Sequence, residues 1–330
     1  MMSGSSQHDA SPGTRPPDAS RAAGAPGSGV LALPVGVDGN AWDWPARIGL
    51  AVYHALALLA FLPWFFSWTG VVLAALGLYV YGTLGINLCY HRILTHRGLS
   101  VPKWLERLFV TLGICCLQDT PARWIAIHRL HHQHADLQRD PHSPLVTLLW
   151  GHVGWLFVQN RDTADVAEYE RYVRDILKDP YYLALEENDL WLLWINVTQW
   201  LVYFAGGLCA GWLMYGNLAA AVQFGLSVWL WGVIVRTVVV WHITWTVNSL
   251  AHRWGYRTYE TGDNSRNNWL VAWISNGEGW HNHHHADPMA AAHGHQWWEV
   301  DVTWTTVKLL ERVGLASKVV RPRAWNVTER

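Results

Sequence analysis

Residues 48–90 read IGLAVYHALALLAFLPWFFSWTGVVLAALGLYVYGTLGINLCY, a stretch of 43 without one Asp, Glu, Lys or Arg. In a bilayer every backbone N–H and C=O must find its partner inside the segment, and about 20 apolar residues wound as a helix cross the ~30 Å hydrocarbon core. A run of twice that length, interrupted around Pro63 to Gly70, predicts two spans, Ala46 to Phe66 and Gly70 to Tyr90. A second charge-free run, residues 190–235, predicts another hairpin. Its first arm is Trp191 to Trp212. Its second starts near Leu218 and stays helix-compatible through His252, about 50 Å of helix, longer than the bilayer is thick. The expected fold class is an all-α integral membrane protein with four transmembrane helices in two hairpins.

The charges that remain set the orientation. Lys and Arg number 3 before Ile48, 11 between His91 and Asp189 and 10 from Arg236 onward, and the hairpin tips carry none. Cytoplasmic segments hold the excess of cations, so both termini and the large middle segment are expected in the cytoplasm. Over all 330 residues, 24 basic against 25 acidic side chains leave a formal charge of −1, which excludes a basic nucleic-acid footprint. Cys89, Cys115, Cys116 and Cys209 lie in apolar stretches without CxxC spacing and are expected as reduced, packed thiols. Residues 1–40, rich in Gly, Pro, Ser and Ala and lacking a signal-peptide core, read as a disordered tail. The rest divides into hairpin 41–90, a cytosolic segment 91–190, hairpin 191–247 and a cytosolic segment 248–330. Trp104–Leu117 and Leu145–Val158 are apolar but too short to span, and read as in-plane or re-entrant helices.

Histidine carries the chemistry. Of 18 in the chain, 16 follow the first span, and their grouping is regular. His128, His131 and His132 form His-x2-His-His, and His281, His284 and His285 repeat that spacing. Positions i, i+3 and i+4 share about 100° of one helix face, so each triplet can aim three imidazoles into one volume, as metal chelation requires. His91 and His96 are about 140° apart on an ideal α-helix, which forbids a shared ion unless the helix ends between them or each serves a different ion. Asn248 and His252 share a face, so the amide could hold a metal-bound water beside an imidazole. Nine imidazoles exceed one closed zinc site and suit two metals of four or five ligands each, with Fe, Zn, Cu and Ni all open. His54, His152 and His242 stand alone and read as interfacial residues; His8, His134, His142, His283, His293 and His295 lie off these faces.

At these residues the chain resembles the membrane-bound fatty acyl desaturases, in particular their Δ9 (stearoyl-type) branch. The segments CYHRILTHR, WIAIHRLHHQHADLQRDPHSP, HVGW, NSLAHRWGYRTY and NGEGWHNHHHADP follow in family order and spacing across about Leu78 to Leu310. The resemblance implies four transmembrane helices beneath a cytosolic helical cap that holds two ferrous ions. Carried over by motif position, the ligands are His91, His96, His128, His131, His132, His252, His281, His284 and His285, with Asn248 reaching one iron through water. No catalytic residue is implied beyond these ligands. Gln118, Thr244 and Trp245 are implied along a bent acyl tunnel. From helix rise, Tyr79 and Tyr81 are added as candidates for its blind end.

The implied activity is O2-dependent insertion of a cis double bond, expected at Δ9, into a saturated acyl chain carried on lipid, CoA or acyl carrier protein. Breaking an unactivated C–H bond needs a metal-derived oxidant. Each imidazole ligand needs a carboxylate or carbonyl to fix its tautomer, and Asp136, Asp140 and Asp287 are the nearby candidates. Animal acyl-CoA enzymes of the family carry Arg-Asp where this chain has Ala126 and Ile127, which weakens the expectation of a CoA thioester. Arg253, Arg257 and Arg266 flank the site as candidate phosphate partners. Because the chain has no haem, iron–sulfur or flavin motif, an external donor of cytochrome b5 or ferredoxin type is implied. The implied location is a bacterial inner membrane or a eukaryotic endoplasmic reticulum. Acyl or alkyl hydroxylation or ketolation on the same site is the alternative, and metal transport is disfavoured because the charge-free runs of the spans lack the ionisable residues of a permeation path.

Overall fold

The computed structural model describes residues 30–188 and 190–323. Four of its helices are long and apolar enough to cross a membrane: Trp44–Phe61, Trp68–Thr95, Leu190–Tyr215 and Leu218–Leu250. The first comprises α1 (Trp44–Ala57), started by Asp43, whose side chain accepts from Ala46 N, and a 3-10 turn to Phe61. It ends five residues earlier than expected because the chain turns extended at Leu62 ahead of Pro63. The second comprises α2 (Trp68–Gly77) and a π-helix over Leu78–Thr95, and runs past the expected end at Tyr90 into the cap.

In the middle segment, α3 (Lys103–Ile114) is the expected short apolar helix. It crosses the π-helix so closely that a Cβ on Gly85 would stand 2.5 Å from Gly113 N, so the crossing requires glycine. Then come α4 (Pro121–His134), capped by Thr120, and α5 (Leu148–His152). The expected helix over 145–158 is broken: after α5 the chain makes a 3-10 turn and a strand, β2 (Val158–Asn160). β2 pairs antiparallel with β1 (Val37–Trp42). Residues 1–29 of the expected tail lie outside the described residues, but 37–42 form a strand against β2, and this two-stranded ribbon is a minor addition to an all-α architecture.

Three helices, α6 (Arg161–Ala164), α7 (Val166–Leu177) and α8 (Pro180–Glu187), cover α4 and lead to the third span, α9 (Leu190–Tyr215). The fourth span joins α10 (Leu218–Trp229), a short π stretch (Leu230–Val235) and α11 (Arg236–Leu250) into one rod of 33 residues. Short helices α12 (Trp269–Ile274), α13 (His281–Ala286) and α14 (Val302–Arg312) complete the cap. Leu88, Tyr90, Val110, Ile125 and Ala126 belong to the core that clamps the π-helix, α3 and α4 together. The cysteines are free; Cys209 is exposed on α9, unlike the buried Cys89, Cys115 and Cys116.

Candidate metal centre

All nine histidines singled out by spacing converge, in two groups whose ligand atoms lie within 4.8 Å of one another. One contains His91, His96, His128, His132 and His284, the other His131, His252, His281 and His285. Nε2 atoms stand 3.1 Å apart for His91–His284 and His96–His128, and 3.0 Å for His128–His132 and His132–His284. In the second group His252–His281 and His281–His285 are each 3.1 Å apart.

His91 and His96 share a group despite their α-helical separation of about 140°. The reason is the π-helix: His96 N donates to His91 O, an i→i+5 bond that closes a turn of about 4.4 residues and brings the two side chains to about 50° of each other. Neither triplet serves one volume. His128 and His132 join the five-histidine group and His131 the other; His281 and His285 join the four-histidine group and His284 the five. Residues i and i+4 lie 40° apart while i+3 diverges from i+4 by 100°, so α4 and α13 face each other with reciprocal splits.

Behind the imidazoles stand carboxylates. His131 Nδ1 donates to Asp140 (3.0 Å), His252 Nδ1 to Asp136 (2.8 Å), His285 Nδ1 to Asp263 (2.8 Å) and His91 Nδ1 to Glu278 (2.6 Å). Asp136 and Asp140 are where spacing put them. Asp287 is not: it accepts from Arg323 N and touches no imidazole of the groups. Asp263 and Glu278 were missed. Glu278 lies three residues before His281, yet it serves His91, across the fold, while also pairing with Arg92. Nothing in the local sequence marks Asp263.

A carboxylate on Nδ1 fixes the tautomer with a lone pair on Nε2. Once neutral, as metal binding requires, His252 and His285 therefore turn Nε2 lone pairs toward His281 Nε2, and buried His131 Nε2 has no hydrogen-bond partner. His281 Nε2 can donate to at most one of these two acceptors, and an orphaned buried acceptor costs about 1–3 kcal/mol. A cation between them resolves both costs, so the donor set fits a pair of transition ions. Burial, reinforced by the neighbouring imidazoles, holds His128, His132, His281 and His284 well below the usual histidine range. Burial also opposes charge on His252, but the Asp136 carboxylate outweighs it and lifts that imidazole to about 9.

These shifts predict a stability maximum near neutrality. The four depressed imidazoles stay neutral in the fold while their unfolded counterparts take protons below about pH 6.5, so their contribution is lost on acidification. His252 acts oppositely: its contribution is full below about pH 6.5 and is lost as pH rises through about 9. Melting of metal-stripped protein across that range should trace a bell. A midpoint that stays level toward acid would contradict the burial of these rings.

The other histidines divide cleanly. His283 turns away, bonding His293 O and Thr258 and stacking on His295, as its i+2 position requires. His293 sits behind His91 on Glu278, and His142 behind His131 near Asp140. His54, His242 and His152 are not isolated: His54 Nε2 meets His242 Nε2 at 3.1 Å and His152 Nε2 meets His242 Nδ1 at 3.0 Å. The middle ring uses opposite nitrogens, so the three form a line rather than converge on a point.

Beside the histidines lies a cavity of about 290 Å³, the scale of a small-ligand pocket. Gln118, Trp124, Ile127, His128, Thr244, Trp245 and Asn248 line one part, and Gly49, Leu50 and Tyr53 of α1 another. Gln118 Nε2 donates to Thr244 Oγ1 at 3.0 Å, tying α11 to the turn after α3. Tyr79 and Tyr81 are not among the lining residues. Tyr79 bonds Thr306 (2.8 Å), and Tyr81 lies under the Arg236 guanidinium, 4.1 Å from its ring centre. Arg253, Arg257 and Arg266 do not line it either; Arg257 bonds Thr261 and Arg266 bonds Gly255 O.

A family model described as fatty acid desaturase matches residues 63–305. Among curated proteins, the chain is 41% identical over 279 residues to an sn-1 stearoyl-lipid 9-desaturase of Synechocystis, covering 84% of this chain and 80% of that one. It is 39% identical over 278 residues to an sn-2 palmitoyl-lipid 9-desaturase of Nostoc (84% and 90% covered). It is 38% identical over 269 residues to an acyl-CoA C20 Delta5-desaturase of Anemone leveillei (82% and 79% covered).

Proposed function

From the premise that this chain belongs to the fatty acid desaturase family, an enzyme that introduces a double bond into a fatty acyl chain, we propose that it makes a cis Δ9 bond in a saturated chain esterified to a membrane glycerolipid. The observation that carries the choice of carrier is the reach of the cavity: Gly49, exposed on the first span, lines the same space as His128 and Asn248. An acyl tail can enter from the bilayer while its headgroup stays at the surface. Ala126 and Ile127 are buried where the animal acyl-CoA enzymes of the family carry Arg-Asp, and the cyanobacterial relatives are named for lipid-linked substrates.

Two irons would be held by the histidine groups, five imidazoles to one and four to the other, and Asn248, one helical turn before His252, would contribute to the second through water. Bound iron would supply the oxidising power drawn from O2 and two electrons from a cytochrome b5-type or ferredoxin-type donor. The protein's own part is placement. Asp136, Asp140, Asp263 and Glu278 aim the rings, Trp124 and Trp245 exclude water from the reacting methylenes, and the Gln118–Thr244 bond holds the tunnel walls together. Cations clustered in the termini and middle segment support a cytoplasmic site and cytoplasmic termini.

The test is expression in a host without its own desaturase, with double-bond mapping and positional lipase digestion of the lipids. The expected product is a Δ9 cis-monoene on glycerolipid. Monoene confined to the acyl-CoA pool would overturn the carrier, and a hydroxylated chain would favour oxygen insertion instead.

A further inference from the structure

Arg236 lies within the fourth span and is fully buried, and among the described residues it forms no ion pair with a carboxylate. A cation at that depth is costly unless polar groups receive it. What receives it is a helix end. Nη1 donates to Cys115 O at 3.0 Å and approaches Cys116 Sγ, Nε donates to Gly232 O at 3.2 Å, and Tyr81 offers its ring face. Cys115 is the residue at which α3 stops. The last carbonyls of a helix lack partners and carry its negative dipole end, which a cation satisfies twice over. Two more donors close the same terminus: Asn196 Nδ2 to Ile114 O at 3.4 Å and Trp241 Nε1 to Cys116 O at 2.7 Å.

The residues that follow are Leu117, Gln118 and Asp119, all lining the cavity. Leu117 (φ 52°) is left-handed, a conformation a bulky non-glycine residue holds only when its surroundings impose it, and Asp119 (φ 81°) is left-handed too, where Asp is readily tolerated. Imposition on Leu117 comes from α11 on both sides of it, Arg236 and Trp241 before it and Thr244 on Gln118 after it. Gly77 leaves the room: a Cβ there would stand 2.9 Å from Arg236 Cγ.

We infer that Arg236 is a positioning residue for regioselectivity, which fixes the bent wall of the acyl tunnel by capping α3 and so decides which carbon pair faces the metal centre. The inference rests on reading the cavity as the acyl tunnel. An acyl chain has no polar mark at the reacting carbons, so the wall alone sets the register. A displacement of about 1 Å costs on the order of a hundredfold in productive geometry, and a moved wall offers the neighbouring carbons instead.

The experiment maps double-bond positions made by Arg236→Met and Arg236→Lys, alongside metal content. Arg236→Met should keep its metal while the ratio of principal to adjacent isomers falls about tenfold or more, and Arg236→Lys, which restores the cation, should recover most of that ratio. An unchanged isomer ratio in Arg236→Met overturns the role, as does a shifted ratio that Lys leaves unimproved. Should Arg236→Met fail to accumulate, Asn196→Leu decides, since it strips a donor from the same terminus without burying an unpaired charge; an unshifted ratio there also overturns the role. Thr244→Trp separates the premise: unaltered yield and isomers from that bulky replacement would mean the cavity is not the acyl tunnel.

Discussion

Replacement of His132 by alanine is expected to abolish desaturation. Its Nε2 stands 3.0 Å from those of both His128 and His284, and its ring stacks on His285 of the other group at 4.4 Å between centres. It is therefore a member of one cluster and the packing wall of the next, so its loss opens both. Losses from disturbing only the outer partners of a metal ligand run about 10–100-fold; removing an imidazole of the cluster itself, one that also walls the second group, should exceed about 100-fold. Product analysis and iron content on the same preparation check it. Wild-type turnover with two ions per chain would remove His132 from the cage.

Glu278→Gln should damage fold and site together. Its Oε2 accepts from His91 Nδ1 at 2.6 Å and its Oε1 from Arg92 Nη2 at 2.7 Å, with all three side chains buried. Burial would raise this carboxyl, but Arg92 and the adjacent imidazoles outweigh it and hold it well below the usual carboxylate range. The amide leaves Arg92 with Asp301 as its remaining carboxylate, in a protein interior where breaking such a pair costs about 3 kcal/mol or more. The expected result is a lower melting temperature together with loss of metal. Asp263→Asn, which touches His285 but no buried arginine, should lose metal affinity with a smaller drop in melting temperature. Equal melting of the two variants would show that the Arg92 pairing contributes nothing.

The fold was legible because lipid imposes a coarse rule: the charge-free runs mark the four spans to within a few residues. His-x2-His-His is a local pattern and also survives reading by eye. What could not be read is where helical winding departs from 3.6 residues per turn. On an α-helix His91 and His96 diverge, and only the i→i+5 bond between them reverses that conclusion. Nor could the sharing of each triplet between two clusters be read, since it depends on how α4 meets α13. Asp263 and Glu278 bond histidines 22 and 187 positions away, and a carboxylate that acts across such a distance leaves no spacing to detect. Asp287, chosen for its nearness in sequence, shows the converse error. Tyr79 was placed by distance along a helix, which ignores the direction its ring takes toward Thr306.

The π-helix over Leu78–Thr95 also makes this stretch unforgiving in length. One residue inserted or deleted there would turn everything beyond it by about 80°, and His91 would swing out of reach of His284 while His96 left His128. Ordinary surface loops absorb such changes at little cost. Here a single-codon length change would be as disruptive as loss of a histidine, although every side chain of the original set would still be encoded.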